Sequence, residues 1–129
     1  VGETVITNIG NLKYKECDRF NAIVNELRKI GVAVDAGGDY IKITGSPSDS
    51  GFLPAEIETY KDHRMAMAFS LAGLKIPGLT IKSPECVCKT FPEFYRDFLK
   101  LFEGNYDISE FYSDIYSREF LKFGKNCMV

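Results

Sequence analysis

Apolar residues at Phe20, Ile23, Val24, Leu27 and Ile30 recur three and four apart, which predicts an amphipathic helix over 18–30. Asp18 is placed to cap its first turn and Gly31 to end it. A second stretch, from His63 to about Leu74, is apolar on most faces and so belongs in a core, with Asp62 as its cap. A third, over about 91–102, carries Phe91, Phe94, Tyr95, Phe98, Leu101 and Phe102 on one side. Thr90 as cap, Pro92 near the first turn and Glu93 completing a capping box mark its start. β-Branched runs predict strands at 4–9 and 79–81, a short extended piece at 56–60, and a hairpin in which 32–34 and 40–43 flank Asp35-Ala-Gly-Gly-Asp39. Residues 8–17 and 46–51 read as polar loops. Mixed strands and helices of this kind predict an α/β fold. Past Gly104-Asn105, the spacing of Ile108, Phe111, Tyr112, Ile115, Tyr116 and Phe120 predicts a fourth helix with an aromatic stripe. The chain then divides into a main unit at 1–103 and a helical tail at 104–129, whose stripe serves either core packing or a partner.

Composition narrows the class. Of 129 residues, 45% are apolar and 26% charged, the balance of a soluble globular domain rather than a disordered chain. Sixteen basic residues against 18 acidic ones leave a formal charge of −2, too little for general attraction to nucleic acid or an anionic membrane. No apolar run approaches the ~20 residues that span a bilayer. The start, VGETVITNIGN, has neither the basic residues nor the apolar stretch of a signal peptide, so a cytoplasmic location is expected. Cys86 and Cys88 are too close for an easy mutual bridge, and there is no C-x-x-C pair to join the single histidine, His63, in a zinc site. The four cysteines are therefore read as buried or inert thiols, with no metal bound.

The candidate chemistry is electrical. Arg19, Arg64 and Lys89 each stand at the start of a predicted helix, where the partial positive charge of the unpaired N–H groups disfavours a cation. Either a bound anion reverses that balance, as helix-end amides and guanidiniums together favour phosphate and carboxylate, or these are three unrelated surface charges. Spacing alone does not bring the three ends together.

The flanking residues read Asn11-Leu-Lys-Tyr-Lys15-Glu16-Cys17-Asp18-Arg19, then Asp62-His63-Arg64-Met65-Ala66-Met67, then Lys89-Thr90-Phe91-Pro92. This ordered set, K-E-x-D-R, D-H-R-x-A-M and K-T-F-P, resembles the C-terminal part of the EPSP synthase (3-phosphoshikimate 1-carboxyvinyltransferase) family over about 2–101. The resemblance implies part of an inside-out α/β barrel built from β-α-β-α-β-β units. It also implies a transferase of chorismate and aromatic amino acid biosynthesis that needs no cofactor, joins phosphoenolpyruvate to the 5-hydroxyl of shikimate 3-phosphate, and releases phosphate.

Residue by residue, the resemblance assigns Arg19, Arg64 and Lys89 to phosphoenolpyruvate, with His63 nearby, and Asn11 and Lys15 to shikimate 3-phosphate. Glu16 becomes the proton donor and acceptor at the phosphoenolpyruvate methylene, and Lys89 takes a second role in proton transfer. The cationic neighbours Lys15 and Arg19 lower the Glu16 pKa while desolvation on closure raises it, and the sequence leaves that contest open. The plain alternatives are a surface Glu16–Lys15 pair, a structural His63, and Met65 and Met67 as core.

The family's site lies in a cleft between two domains, with a catalytic aspartate belonging upstream of Gly2. The chain is accordingly expected to be a C-terminal piece that needs the missing N-terminal half and has no measurable transferase activity alone. The tail matches nothing in the family; it either covers apolar surface normally buried by the missing part or forms a homodimer contact. Asp62-His63-Arg64 and Lys89-Thr-Phe-Pro92 argue against the related UDP-N-acetylglucosamine enolpyruvyl transferase. A non-catalytic anion-binding or assembly module derived from the same fold is the alternative.

Overall fold

A computed structural model describes residues 2–45 and 51–100, with the backbone alone of Leu99. The predicted tail helix and most of the predicted 46–51 loop lie outside the described residues.

Helix α1 spans Arg19–Lys29. Asp18 caps it as predicted, its carboxylate accepting from the Asn21 backbone N–H at 3.1 Å and the Asn21 side-chain amide at 2.7 Å. At the other end Gly31, with φ of 81°, lets the Val32 N–H reach back to the Leu27 carbonyl at 3.0 Å, and its own N–H to that of Arg28 at 3.0 Å. This is a Schellman stop, which needs the left-handed residue that glycine supplies. Loss of the cap in Asp18→Ala is expected to lower stability by about 1 kcal/mol in urea unfolding.

Strands β1 (Glu3–Ile6), β2 (Ala33–Gly37) and β3 (Tyr40–Thr44) form an antiparallel sheet with β3 central. The hairpin turn is tighter than predicted. Asp35 and Ala36 stay in the strand opposite Lys42 and Ile41, leaving Gly38-Asp39 as a two-residue connection with Gly38 at φ of 50°. One sheet face packs Ile41, Ile43, Val34 and Ala36 against Phe20 and Val24 of α1.

A second unit runs from β4 (Glu56–Ile57) through helix α2 (His63–Ala72) to β5 (Thr80–Ile81), with β4 and β5 paired in parallel. Its core joins Ile57, Met65, Phe69, Ile76 and Leu79 to Ala22 of α1 and to Ile30, which directly follows that helix. Helix α1 therefore lies between two cores, and Ile23 touches both. Met65 is core, as the plain reading held.

The third helix corrects the sequence reading. Residues 84–89 form a 3-10 helix against α2, and α3 begins only at Phe94 and runs to Lys100. Thr90 ends the 3-10 helix instead of capping α3, and the N–H groups of Thr90 and Phe91 both donate to the Val87 carbonyl, at 3.0 and 2.8 Å. Pro84 at the first position favours a helical turn there, six residues ahead of the predicted cap. Residues 10–14, predicted as loop, form another short 3-10 helix, which packs on α1. Cys17 and Cys86 are free thiols as expected. Cys88 is disulfide-bonded, contrary to expectation; the spacing argument excluded only a bridge to Cys86. Among the described residues no helix is long and apolar enough to cross a membrane.

Candidate functional site

Two of the three motif segments meet where α1 and α2 begin. The chain enters α2 through a turn in which the Asp62 N–H donates to the Thr59 carbonyl at 2.9 Å, with Tyr60 and Lys61 in left-handed conformation at φ of 54° and 56°. Asp62, with 0% exposure, then caps α2, its Oδ1 accepting from the Arg64 backbone N–H at 2.9 Å.

The same carboxylate reaches across to α1. Arg19 Nε donates to Asp62 Oδ2 at 2.6 Å and Arg19 Nη2 to Oδ1 at 3.2 Å, a two-pronged contact in which the guanidinium matches both oxygens. Arg19 Nη2 also donates to Glu16. The Cys17 thiol approaches Asp62 Oδ2 at 3.5 Å. Glu16, Cys17, Arg19, Asp62 and the backbone of Arg64 thus form one connected group, with the buried His63 close enough to influence Glu16.

The charges set one another. Burial works against ionisation of Asp62, but the Arg19 hydrogen bonds and the Arg64 N–H outweigh it and hold the carboxyl below its ordinary value. Arg19 is raised in return, chiefly by its bond to Asp62. Glu16 is lowered, chiefly by its own backbone N–H; burial opposes this, and the charge of Arg19 adds a further, lesser lowering. The lowered value, owed first to the backbone and not to the cations, keeps Glu16 ionised, a proton acceptor in this state. Burial, followed by the hydrogen bond to Asp62, pushes the Cys17 thiol up to about 11, so it stays protonated and unreactive.

Arg19 departs from the electrical reading. Its guanidinium is buried and already faces Asp62 and Glu16, so the chain itself supplies the anions that its position at a helix start calls for. Arg64 fits that reading better, standing exposed on the first turn of α2. Lys89 does not fit it at all. It is the last residue of the 3-10 helix rather than the start of α3, and a cation is favoured at that end. Asn11 lies on the 3-10 helix against α1, and Lys15 directly follows that helix; both are exposed.

Sequence reasoning treated Asp62 only as a cap and overlooked its hold on Arg19. It also passed over Glu26. Arg19, Ala22 and Glu26, all buried, are spaced three and four apart and line one face of α1. Two charged residues seven apart on an otherwise apolar face of the helix were the available signal.

The EPSP synthase (3-phosphoshikimate 1-carboxyvinyltransferase) family model matches residues 1–98. The chain belongs to the EPSP synthase family. It is 50% identical over 98 residues to the 3-phosphoshikimate 1-carboxyvinyltransferase of Nostoc punctiforme, a match covering 76% of this chain and 22% of that protein. For the Photorhabdus laumondii protein of the same name the identity is 52% over 100 residues, covering 78% of this chain and 23% of that one. The solved EPSP synthase of Acinetobacter baumannii superposes with a TM-score of 0.68 at 36% identity, covering 77% of this chain and 23% of its own. The chain thus spans less than a quarter of the length of these EPSP synthases.

Proposed function

We propose that the chain forms one wall of an enolpyruvyl transferase active site, which binds phosphoenolpyruvate and shikimate 3-phosphate and is completed by the other part of an inside-out barrel. The observation that carries this reading is the Arg19–Asp62 bridge, which brings the K-E-x-D-R and D-H-R segments together at two helix starts. The exposed guanidinium of Arg64 offers the phosphate or carboxylate of phosphoenolpyruvate both charge and donors. Lys89 holds the departing phosphate and assists proton transfer, His63 lines the phosphoenolpyruvate side, and Asn11 and Lys15 hold shikimate 3-phosphate.

In the reaction, a proton from Glu16 adds to the phosphoenolpyruvate methylene and cation character develops on the neighbouring carbon. The 5-hydroxyl attacks that carbon, its proton passing to a base on the facing wall of the site. Loss of phosphate and return of the methyl proton to Glu16 restore the enol ether. An ionised Glu16 must first gain a proton. Arrival of a multiply charged anion near Glu16 disfavours a second negative charge there and raises the Glu16 pKa, the direction donation requires. The reading places the reaction in the cytoplasm. It assigns the 104–129 tail either to covering apolar surface that the rest of the barrel otherwise buries or to a homodimer contact.

The test is titration with phosphoenolpyruvate and shikimate 3-phosphate, with the chain alone and with the remainder of an EPSP synthase supplied as a separate polypeptide. Phosphate release only on mixing is expected. Turnover by the chain alone would contradict the requirement for a second wall. Phosphoenolpyruvate binding without turnover in the mixture would favour a non-catalytic anion-binding module.

A further inference from the structure

The α1 face that carries Arg19 touches the β4–α2 connection at a second point. Two turns along, Glu26 is buried with 0% exposure, and both its oxygens are engaged by that connection. Oε1 accepts from the Tyr60 hydroxyl at 2.8 Å and Oε2 from the Glu58 backbone N–H at 3.1 Å. Lys29, itself 43% exposed, pairs with Oε2 at 2.6 Å from the solvent side. Between these contacts and Asp62 lie Tyr60 and Lys61, two successive non-glycine residues with positive φ. Side chains disfavour that conformation, so something outside the two residues must hold it, and such turns gather beside functional sites. Arg19 grips the far end of the turn through Asp62 and Glu26 grips the near end, seven residues apart on one helix face.

We propose that Glu26 is a positioning residue, whose buried carboxylate holds the left-handed Tyr60–Lys61 turn and thereby sets Asp62, His63 and Arg64 for phosphoenolpyruvate; the ligand in this statement rests on the function proposed above. The carboxylate does so by accepting a backbone hydrogen bond from Glu58, ahead of the turn, and a side-chain hydrogen bond from Tyr60, its first residue, which a freely rotating surface pair does not do. Lys29 neutralises the charge without contacting the turn's donors. Misplacement of a positioning group by about 1 Å can cost ~100-fold in rate, and the charge-assisted contacts of Arg64 lengthen and weaken with the same displacement, so an effect on ligand affinity follows from an effect on the turn.

Glu26→Met fills the same space and removes both acceptors. Glu26→Gln keeps both contacts, its carbonyl accepting from the Glu58 N–H and its amide donating to the Tyr60 oxygen, but loses the ion pair with Lys29. In the full chain, NMR reads the turn by the strong intraresidue HN–Hα Overhauser effect that positive φ produces at Tyr60 and Lys61, and by exchange of the Arg64 amide. Phosphoenolpyruvate titration reads the site, and protected α1 amides show that each variant is folded. Glu26→Met is expected to lose the turn signature and weaken phosphoenolpyruvate binding about tenfold, and Glu26→Gln to stay within about twofold of the parent.

An unchanged turn in Glu26→Met overturns the proposal. Equal damage in both variants does so too, because the charge pair would then matter and not the turn. If Glu26→Met does not fold, Tyr60→Phe removes one contact and leaves the carboxylate intact. A smaller shift of both readouts in the same direction is then expected, and no shift overturns the proposal. A parent chain that ignores phosphoenolpyruvate while Glu26→Met loses the turn sinks the proposed function, not the assignment of Glu26 to the turn.

Discussion

Asp62→Ala is expected to destabilise the chain by about 3–5 kcal/mol, because it leaves Arg19 buried with its main partner gone. Cap loss at α2 contributes about 1 kcal/mol within that figure. Urea unfolding checks it. Breaking a buried pair from one side differs in kind from removing both charges, since an apolar pair of similar size needs no compensating partner. Arg19→Met combined with Asp62→Leu is therefore expected to recover most of the loss, less the cap. A double variant as unstable as Asp62→Ala would show that the contact matters through some property other than charge burial.

Acid titration gives a second check on the same pair. The Asp62 carboxyl is held below its ordinary value of 3.8, so its contribution is complete above that pH and is lost as pH falls toward the lower folded value. Below about pH 4 the parent's stability is expected to fall more steeply than that of Asp62→Ala. Parallel acid limbs would contradict the depressed pKa.

Local signals with a single meaning were readable from the sequence. Asp18 and Gly31 bound α1 where predicted because a cap oxygen and a left-handed glycine act within a few residues of themselves. The start of α3 was misread because Thr90, Pro92 and Glu93 offered a valid cap while Pro84 started a competing turn upstream, and packing of that turn on α2 decided between them. With it went the argument that Lys89 opposes a helix dipole. The site was legible as a set of segments through resemblance, but not as a network. Nothing local in Arg19 or Asp62, 43 residues apart, shows that one buried carboxylate serves both an α2 cap and an α1 guanidinium. The Tyr60–Lys61 turn was equally hidden, since neither residue type favours positive φ and the contact that holds it comes from Glu26.

Arg64→Ala is expected to separate binding from folding. The side chain is exposed on the first turn of α2, where a cation opposes the helix dipole. Its removal should leave stability within about 0.5 kcal/mol of the parent, and on the stabilising side. Binding of phosphoenolpyruvate should weaken about 100-fold, or ~2.7 kcal/mol, the range of hydrogen bonds between charged groups. Arg64→Lys keeps the charge without the planar fork and should lie between the two, about tenfold weaker than the parent. Calorimetric titration alongside urea unfolding reads both quantities on one sample. Arg19→Met should behave oppositely, because that guanidinium already serves Asp62 and its loss leaves a buried carboxylate unpaired. A site in which Arg64→Ala lost stability and kept its affinity would be a structural surface, and the anion would have to be sought elsewhere. Tighter folding with weaker binding is the mark of a cation retained at an unfavourable position for a ligand.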